Sequence, residues 1–417
     1  MSLALNKVYK YLFLLLTFIS VNQWISIPIG NTTTTYILNY VLLCCFICSI
    51  VKQRINIFKN QYTIVGLYIC WTLFEILRGF YVAENYWEWK NFIGTIPIVL
   101  FPLIVFILKD PIVLKSILKP WYRWATLAFV LFFYWMVGFS QFYLGPIFFA
   151  LCFLLLGKNF FMKTVILTQG VLILTDDIID NRSQFLKAVM SFLILFLTVF
   201  HKFISSYLIR LACLVVIIAT IILLYLGLTG RFNLFENISD NYKGQYTLAT
   251  DVDGESRTID ISGDTRTFIY EEVFGSAIKN DYVLMGRTPA RGHDAIAFAK
   301  ETQALLSVHY VDNLKIERHK DELCFTNIFT WLGLIGMLLY ISIYLHSAYL
   351  GLFKSNSKYV KLCGAMVVFY FAFGWIENST SFDIINVTYW IFISICLSSS
   401  FRKMTDRDFK LWFRTII

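Results

Sequence analysis

Charge is what this chain has least of. Of 417 residues only 15% are Asp, Glu, Lys or Arg, while 58% are hydrophobic and 18% aromatic. A soluble domain carries about 25% charged residues. Charge this sparse, set between apolar runs this long, excludes a water-soluble globular protein and predicts an integral membrane protein. Other absences narrow the function. The nine cysteines show no paired metal spacing and read as small buried hydrophobes. No Walker-type phosphate loop occurs. No internal repeat is found, so the inverted-repeat signature of many transporters is missing, and no paired Gly/Pro breaks stand out in mid-span. The net charge of +9 does not imply nucleic acid, because most Lys and Arg sit in short loops between apolar runs.

What is present is a series of apolar stretches near the roughly 20 residues a membrane span needs. They cover 8–27, 34–51, 62–81, 91–108, 121–139, 141–157, 161–176, 184–202, 207–228, 326–346, 358–376 and 385–401. The first follows Lys7 and Lys10 without a small-residue cleavage site and is expected to be a retained span. With the N-terminus inside, the cytoplasmic connections hold 21 Lys and Arg. The short outer ones hold only Arg78, Lys90, Arg182 and Lys187. This bias predicts an all-α polytopic protein of twelve spans with both ends cytoplasmic. The expected organisation is nine spans over 1–228, a large outer loop over 229–325, and three spans with a basic tail over 326–417.

The long loop holds the concentrated polarity. YTLATDVDGESRTIDI, residues 246–261, predicts a hairpin turning at Asp253-Gly254. The calcium reading of Asp251, Asp253 and Glu255 fails, since the ligand order of an EF-hand is incomplete. Asp264-Thr265 can cap a helix beginning near Arg266, with Ile269, Val273 and Ala277 on one stripe. Arg266 in its first turn can hold an anion jointly with backbone N–H groups, or can snorkel or pair with Asp264. MGRTPARGHD, residues 285–294, is a broken turn whose Arg287 and Arg291 either cradle phosphate or are exposed loop arginines. A second helix is expected over 294–309, with His309 a surface histidine. The loop ends in Arg318, His319, Lys320, Asp321 and Glu322, directly before an apolar run. Three residues apart, His319 and Glu322 share a face if that stretch is helical. They can then act as general base and orienter, or form a charged collar at the membrane edge.

ISGDTRTFIYEEV (261–273), VLMGR (283–287) and RHKDELCFTNIFTWLGLIGMLLYI (318–341) together resemble the O-antigen polymerase and O-antigen ligase families. So does DNRSQFL, 180–186, with Arg182. The likeness lies in motif order and topology and not in close sequence identity; it covers the last nine of the twelve spans loosely and about 80 residues with any precision. The ligases' His-Asn is here His319-Lys320, and their Gly-rich turn is reduced to Gly286-Arg287. The resemblance implies a glycosyltransferase of GT-C-like architecture in the bacterial cytoplasmic membrane, its loop periplasmic. The donor is a glycan on a polyprenyl diphosphate, the acceptor another glycan, and no cofactor or metal is needed. Arg182, Arg266, Arg287 and Arg291 would hold the diphosphate, and His319 or Glu322 would be the base. Chain-length regulators and flippases are the implied protein partners. The polymerase is preferred to the ligase because a Glu stands at 322 and the polar 229–263 stretch suits a roof that moves aside. A flippase of the same lipid-linked glycans is a rival, but the main in-span charges, Glu75 and Arg78, lie near one end of the third span.

Overall fold

Inside a bilayer every backbone N–H and C=O must be satisfied within the protein, which leaves the helix as the natural form of an apolar run. The computed structural model describes residues 3–22, 32–136, 144–175, 182–200, 205–228, 247–252, 255–260, 265–295, 309–311 and 315–417. Helices α1 (Leu3–Asn22), α2 (Thr32–Lys52), α3 (Thr63–Val82), α4 (Tyr86–Val99), α5 (Pro111–Ala128) and α6 (Gly145–Cys152) form the first half. After them come α7 (Phe160–Thr175), α8 (Arg182–Val199) and α9 (Ser206–Leu228). The loop contributes β1 (Thr247–Val252), β2 (Glu255–Asp260), α10 (Thr265–Lys279), β3 (His293–Asp294), β4 (His309–Val311) and β5 (Lys315–Arg318). The chain ends with α11 (Cys324–Phe353), α12 (Lys358–Phe373), α13 (Ile384–Leu397) and the short α14 (Asp406–Arg414).

Every apolar stretch in the sequence carries helix. Among the described residues five helices are long and apolar enough to cross a membrane: Thr33–Lys52, Asn60–Val82, Tyr86–Leu108, Ser206–Leu226 and Cys324–Phe353. Four shorter apolar helices join them: Val8–Val21, Phe160–Thr175, Ser183–Val199 and Ile384–Leu397. On α9 the outward face is apolar, with Leu208, Val215 and Ile221 each more than half exposed. Such a face is stable against lipid and not against water. Helix α11 is the central one. It packs on α3, α12 and α13, and its Trp331, Tyr340 and Tyr344 are buried.

The fifth stretch is helical through residue 136, but its helix starts well before the expected position. Asp110 accepts a hydrogen bond from Ile112 N at 2.8 Å and Pro111 opens the helix, so α5 starts ten residues before 121. Lys115 and Lys119, which precede the expected stretch, therefore lie on a helix and not in a loop. Its buried side is Val113, Leu114, Ile117, Leu118 and Trp121. The boundary between 121–139 and 141–157 falls at 137–143, outside the described residues.

A break in α11 was not expected. Gly333 has φ 67°, and the turn at 283–287 enters the gap. Leu334 N donates to Val283 O at 2.8 Å, and Arg287 N donates to Thr330 O at 2.8 Å. The Trp71 indole N–H donates to Leu332 O at 2.9 Å. Backbone groups freed by the break are thus satisfied by the loop and by α3, as burial requires. No side chain fits here: a Cβ on Gly333 would stand 2.2 Å from Leu284 O, and one on Gly286 2.4 Å from Gly333 N.

The bundle has two unlike ends. At one, α14 folds back under the bundle. A capping box at Thr405 and Asp408 starts it, and Phe409 and Phe413 are fully buried against Phe153. Backbone hydrogen bonds tie Lys158 N to Ile417 O at 2.8 Å and Asn356 N to Arg402 O at 2.9 Å. The connections carrying Lys109, Lys158, Lys358 and Arg402 gather there. The opposite end carries the large loop.

Candidate functional site

The site is built by the segment between β5 and α11. Strand β5 is central in a three-stranded antiparallel sheet, pairing Arg318 with His293 and Glu317 with both Asp294 and His309. The sheet delivers the chain to the top of α11, where Asp321 stops it. The Asp321 carboxylate accepts from Leu323 N at 2.7 Å and from the Thr326 hydroxyl at 2.8 Å. Asp321 N donates to Asn327 Oδ1 at 2.8 Å, and the Asn327 and Asn378 amides both donate to Asp321 O. The Asp321 side chain thus closes a turn just ahead of α11, whose own N-cap Leu323 has no side-chain cap, and 319–323 stand outside helical geometry.

One expectation is thereby corrected. His319 and Glu322 do not share a helix face, because neither is in a helix. The His319 ring lies 5.6 Å from the Trp331 ring, with Nε2 3.0 Å from Pro289 O, and Trp331 Nε1 donates to His319 O at 3.1 Å. Glu322 is more exposed, with its carboxylate 3.8 Å from the Arg318 guanidinium.

Arg318, His319, Lys320, Asp321 and Glu322 all line a cleft of about 510 Å³. Its other walls come from the end of α1 (Leu16, Ser20), the start of α2 (Thr35, Tyr36, Asn39), α4 (Asn91, Thr95) and the 378–383 segment before α13. These connections belong to one end of the bundle. Lys320 donates to Ser381 Oγ at 2.8 Å. Asp383 caps α13 by accepting from Asn386 N at 2.8 Å. Burial pushes the Asp383 carboxyl up to about 6 against the backbone hydrogen bonds and the lysines Lys320 and Lys187 that pull it down. Burial likewise raises Asp321 to about 6, opposed by its hydrogen bonds and by Arg318. Lys320 reaches solvent through the cleft, yet protein atoms crowd its ammonium and lower its pKa, against the pull of Asp383 and Asp321. Behind this wall the buried Lys187 pairs with Glu377 at 2.9 Å and lies over the Phe373 and Tyr389 rings.

The arginines expected to hold a diphosphate are distributed differently. Arg287 pairs with Asp294 at 2.8 Å and Glu317 at 2.9 Å. Arg291 pairs with the same Glu317 and lies 3.6 Å from Glu88. Two arginines do converge, but on carboxylates that neutralise them, and neither lines the cleft. The nearby His293 is buried and stays neutral, burial and the Arg318 charge pushing it down to about 3. Arg182 opens α8 and Arg266 is the second residue of α10, while the side chains of both lie outside the described residues. Helix α10 itself forms as expected, its stripe of Ile269, Val273 and Ala277 fully buried and Phe274 packed 5.0 Å from Phe329. The hairpin forms too, with Val252 paired to Glu255. The helix expected over 294–309 begins and ends in strand, at β3 and β4, and 296–308 lie outside the described residues, as does most of 229–263.

Sequence reasoning overlooked Asp383, Lys187 and the neutral wall of α1, α2 and α4. Only Asp383 left a signal, an acidic residue just before an apolar run. Among the described residues no three of His, Cys, Asp and Glu gather as a metal site requires. No family model, curated protein or solved structure matches this chain.

Proposed function

We propose that this chain is a membrane-embedded glycosyltransferase that polymerises polyprenyl-diphosphate-linked oligosaccharide repeat units at the outer face of the cytoplasmic membrane. The observation that carries the reading is the cleft, where two cations, Arg318 and Lys320, stand among His319, Asp321, Glu322 and Asp383 at the loop-bearing end of an apolar bundle. The reading includes twelve spans in a GT-C-like arrangement with that end periplasmic. A lipid-linked donor accounts for a polar site at the edge of a membrane domain.

In the transfer, an acceptor hydroxyl attacks the anomeric carbon of the donor. Its proton passes to a base on the cleft wall, His319 or Glu322, with Asp383 also within the cleft. The bond from the anomeric carbon to the phosphate oxygen breaks, and its electron pair leaves with the lipid diphosphate. Arg318 and Lys320 offset that charge where water is partly excluded. Arg182 and Arg266, at the first turns of α8 and α10, are further cations for the diphosphate. Arg287 and Arg291 hold the loop together through Glu317.

The test is incubation of the purified protein with lipid-linked repeat units. Longer lipid-linked chains are expected. Transfer to a lipid A-core acceptor, without elongation on the carrier, would make the chain a ligase and overturn the polymerase reading.

A further inference from the structure

The cleft has two unlike halves. One is the charged wall of 318–322 and 383. The other is neutral, with the Asn39 and Asn91 amides and the Ser20, Thr35, Tyr36 and Thr95 hydroxyls. Two residues of its lining, one from each half, carry a buried acceptor without a hydrogen bond. Asn39 is 6% exposed and its Oδ1 has no partner; Asp321 is 3% exposed, and while its Oδ1 is doubly engaged its Oδ2 has none. Buried acceptors are almost always paired, because leaving one unpaired forfeits its hydration. Other unpartnered polar atoms occur elsewhere, but among the described residues these two belong to side chains that line one cleft, whose volume falls within the roughly 300–1,000 Å³ of small-ligand sites.

We infer that Asn39 Oδ1 and Asp321 Oδ2 are the two acceptors of a saccharide subsite, taking hydroxyl donors from a sugar ring laid against the neutral wall. The ligand must offer two donors, since both orphans accept. It must be uncharged where it meets α1, α2 and α4, whose contributions here are amides, hydroxyls and the apolar Leu16, Ile19 and Ile98. A sugar ring meets both demands, with hydroxyls at its rim and C–H faces for the apolar residues. The inference rests on the reading of the cleft as a glycan-transfer site and names which part of it holds the sugar.

Two variants separate binding from folding. Asn39→Leu removes an amide that makes no hydrogen bond to the protein. Asp321→Asn keeps Oδ1 as the acceptor for Leu323 and Thr326 and turns the free oxygen into a donor. The probe is the water-soluble repeat-unit oligosaccharide, released by mild acid from the lipid carrier and titrated calorimetrically into the full-length protein, with inorganic pyrophosphate as the comparison. The wild type should bind the saccharide, and each variant should bind it about tenfold more weakly, the worth of a hydrogen bond to a buried acceptor. Asn39→Leu should leave pyrophosphate binding unchanged and melt no lower than the wild type. Wild-type affinity for the saccharide in Asn39→Leu, or no saccharide binding by the wild type, overturns the subsite. Elongation by the wild type together with unchanged affinity in Asn39→Leu removes the subsite alone. Saccharide binding without elongation removes the polymerase reading and leaves the subsite standing.

Discussion

The two ends of the bundle solve opposite problems. At the α14 end the packing is closed by aromatic side chains and backbone: Phe409 and Phe413 are fully buried and Ile417 O accepts from Lys158 N, with the Arg402 Nε left unpartnered away from any described cleft. At the loop end, polar groups are buried and left in part unmatched around a cleft. Satisfied groups lend stability, whereas unsatisfied ones are characteristic of places that receive something. The difference divides the molecule into an end that keeps it folded and an end that is kept open.

The sharpest break of this contrast is at the closed end. Phe409→Ala should cost about 3–5 kcal/mol, as loss of a buried phenyl ring does. Thermal unfolding in detergent would register it, while activity per folded molecule stays unchanged. Lost activity at full stability would put α14 in the site. Next comes the open end. His319→Ala or Glu322→Ala should reduce chain elongation by roughly 10²-fold, the scale of a lost general base, at normal protein levels. Full elongation in both variants would move the proton to another group, with Asp383 next. Arg318→Lys should also impair elongation, because an ammonium cannot replace a guanidinium fork.

A second comparison lies between two glycines. Gly333→Ala meets Leu284 O at 2.2 Å from a left-handed φ, and it should destabilise the protein by more than about 2 kcal/mol. Gly275, in α10, has nothing within 4 Å of a built Cβ, so Gly275→Ala should stabilise by about 0.5–1 kcal/mol. Equal melting temperatures for the two would deny that the break in α11 is locked. The smallest effect is on pH. Asp383 and Asp321 are both raised by burial from 3.8 to about 6 in the folded protein. Asp383 faces Lys320 and Lys187, and Asp321 faces Arg318 and Glu322. For acids raised on folding, the stability contribution is complete below the ordinary value and is lost as pH rises through about 6. The melting temperature should therefore fall by a few degrees, roughly, between pH 4 and pH 7. Asp383→Asn should flatten part of that slope, and an unchanged slope would show that Asp383 does not titrate there.

Most of the helices were legible in the sequence because apolar runs and helix caps are local signals. Helix α10 could be read from its stripe, and the hairpin from Asp253-Gly254. The start of α5 was not, because its first turns are amphipathic and no hydropathy rule marks them. The cleft was half legible. Residues 318–322 stand together in the chain, but their partners on α1, α2 and α4 lie more than 200 residues earlier, and Asp383 some 60 later. The pairing of Arg287 and Arg291 with Glu317 was hidden for the same reason, as was the helical geometry that Asp321 denies to His319 and Glu322. Spacing along a chain says nothing of what arrives from elsewhere.

The turn at 283–287 has a mechanical consequence. It is seated inside α11 through Leu334 N, Thr330 O and the close pair Gly286 and Gly333. A helix interrupted in this way is two rods joined by a pin, and the pin belongs to the outer loop. The upper rod carries Trp331 beneath His319, and the lower carries Tyr340 and Tyr344 in the core. The loop's position and the angle between the rods are therefore tied to each other: the turn at 283–287 cannot leave its seat without breaking the hydrogen bonds of Leu334 N and Arg287 N.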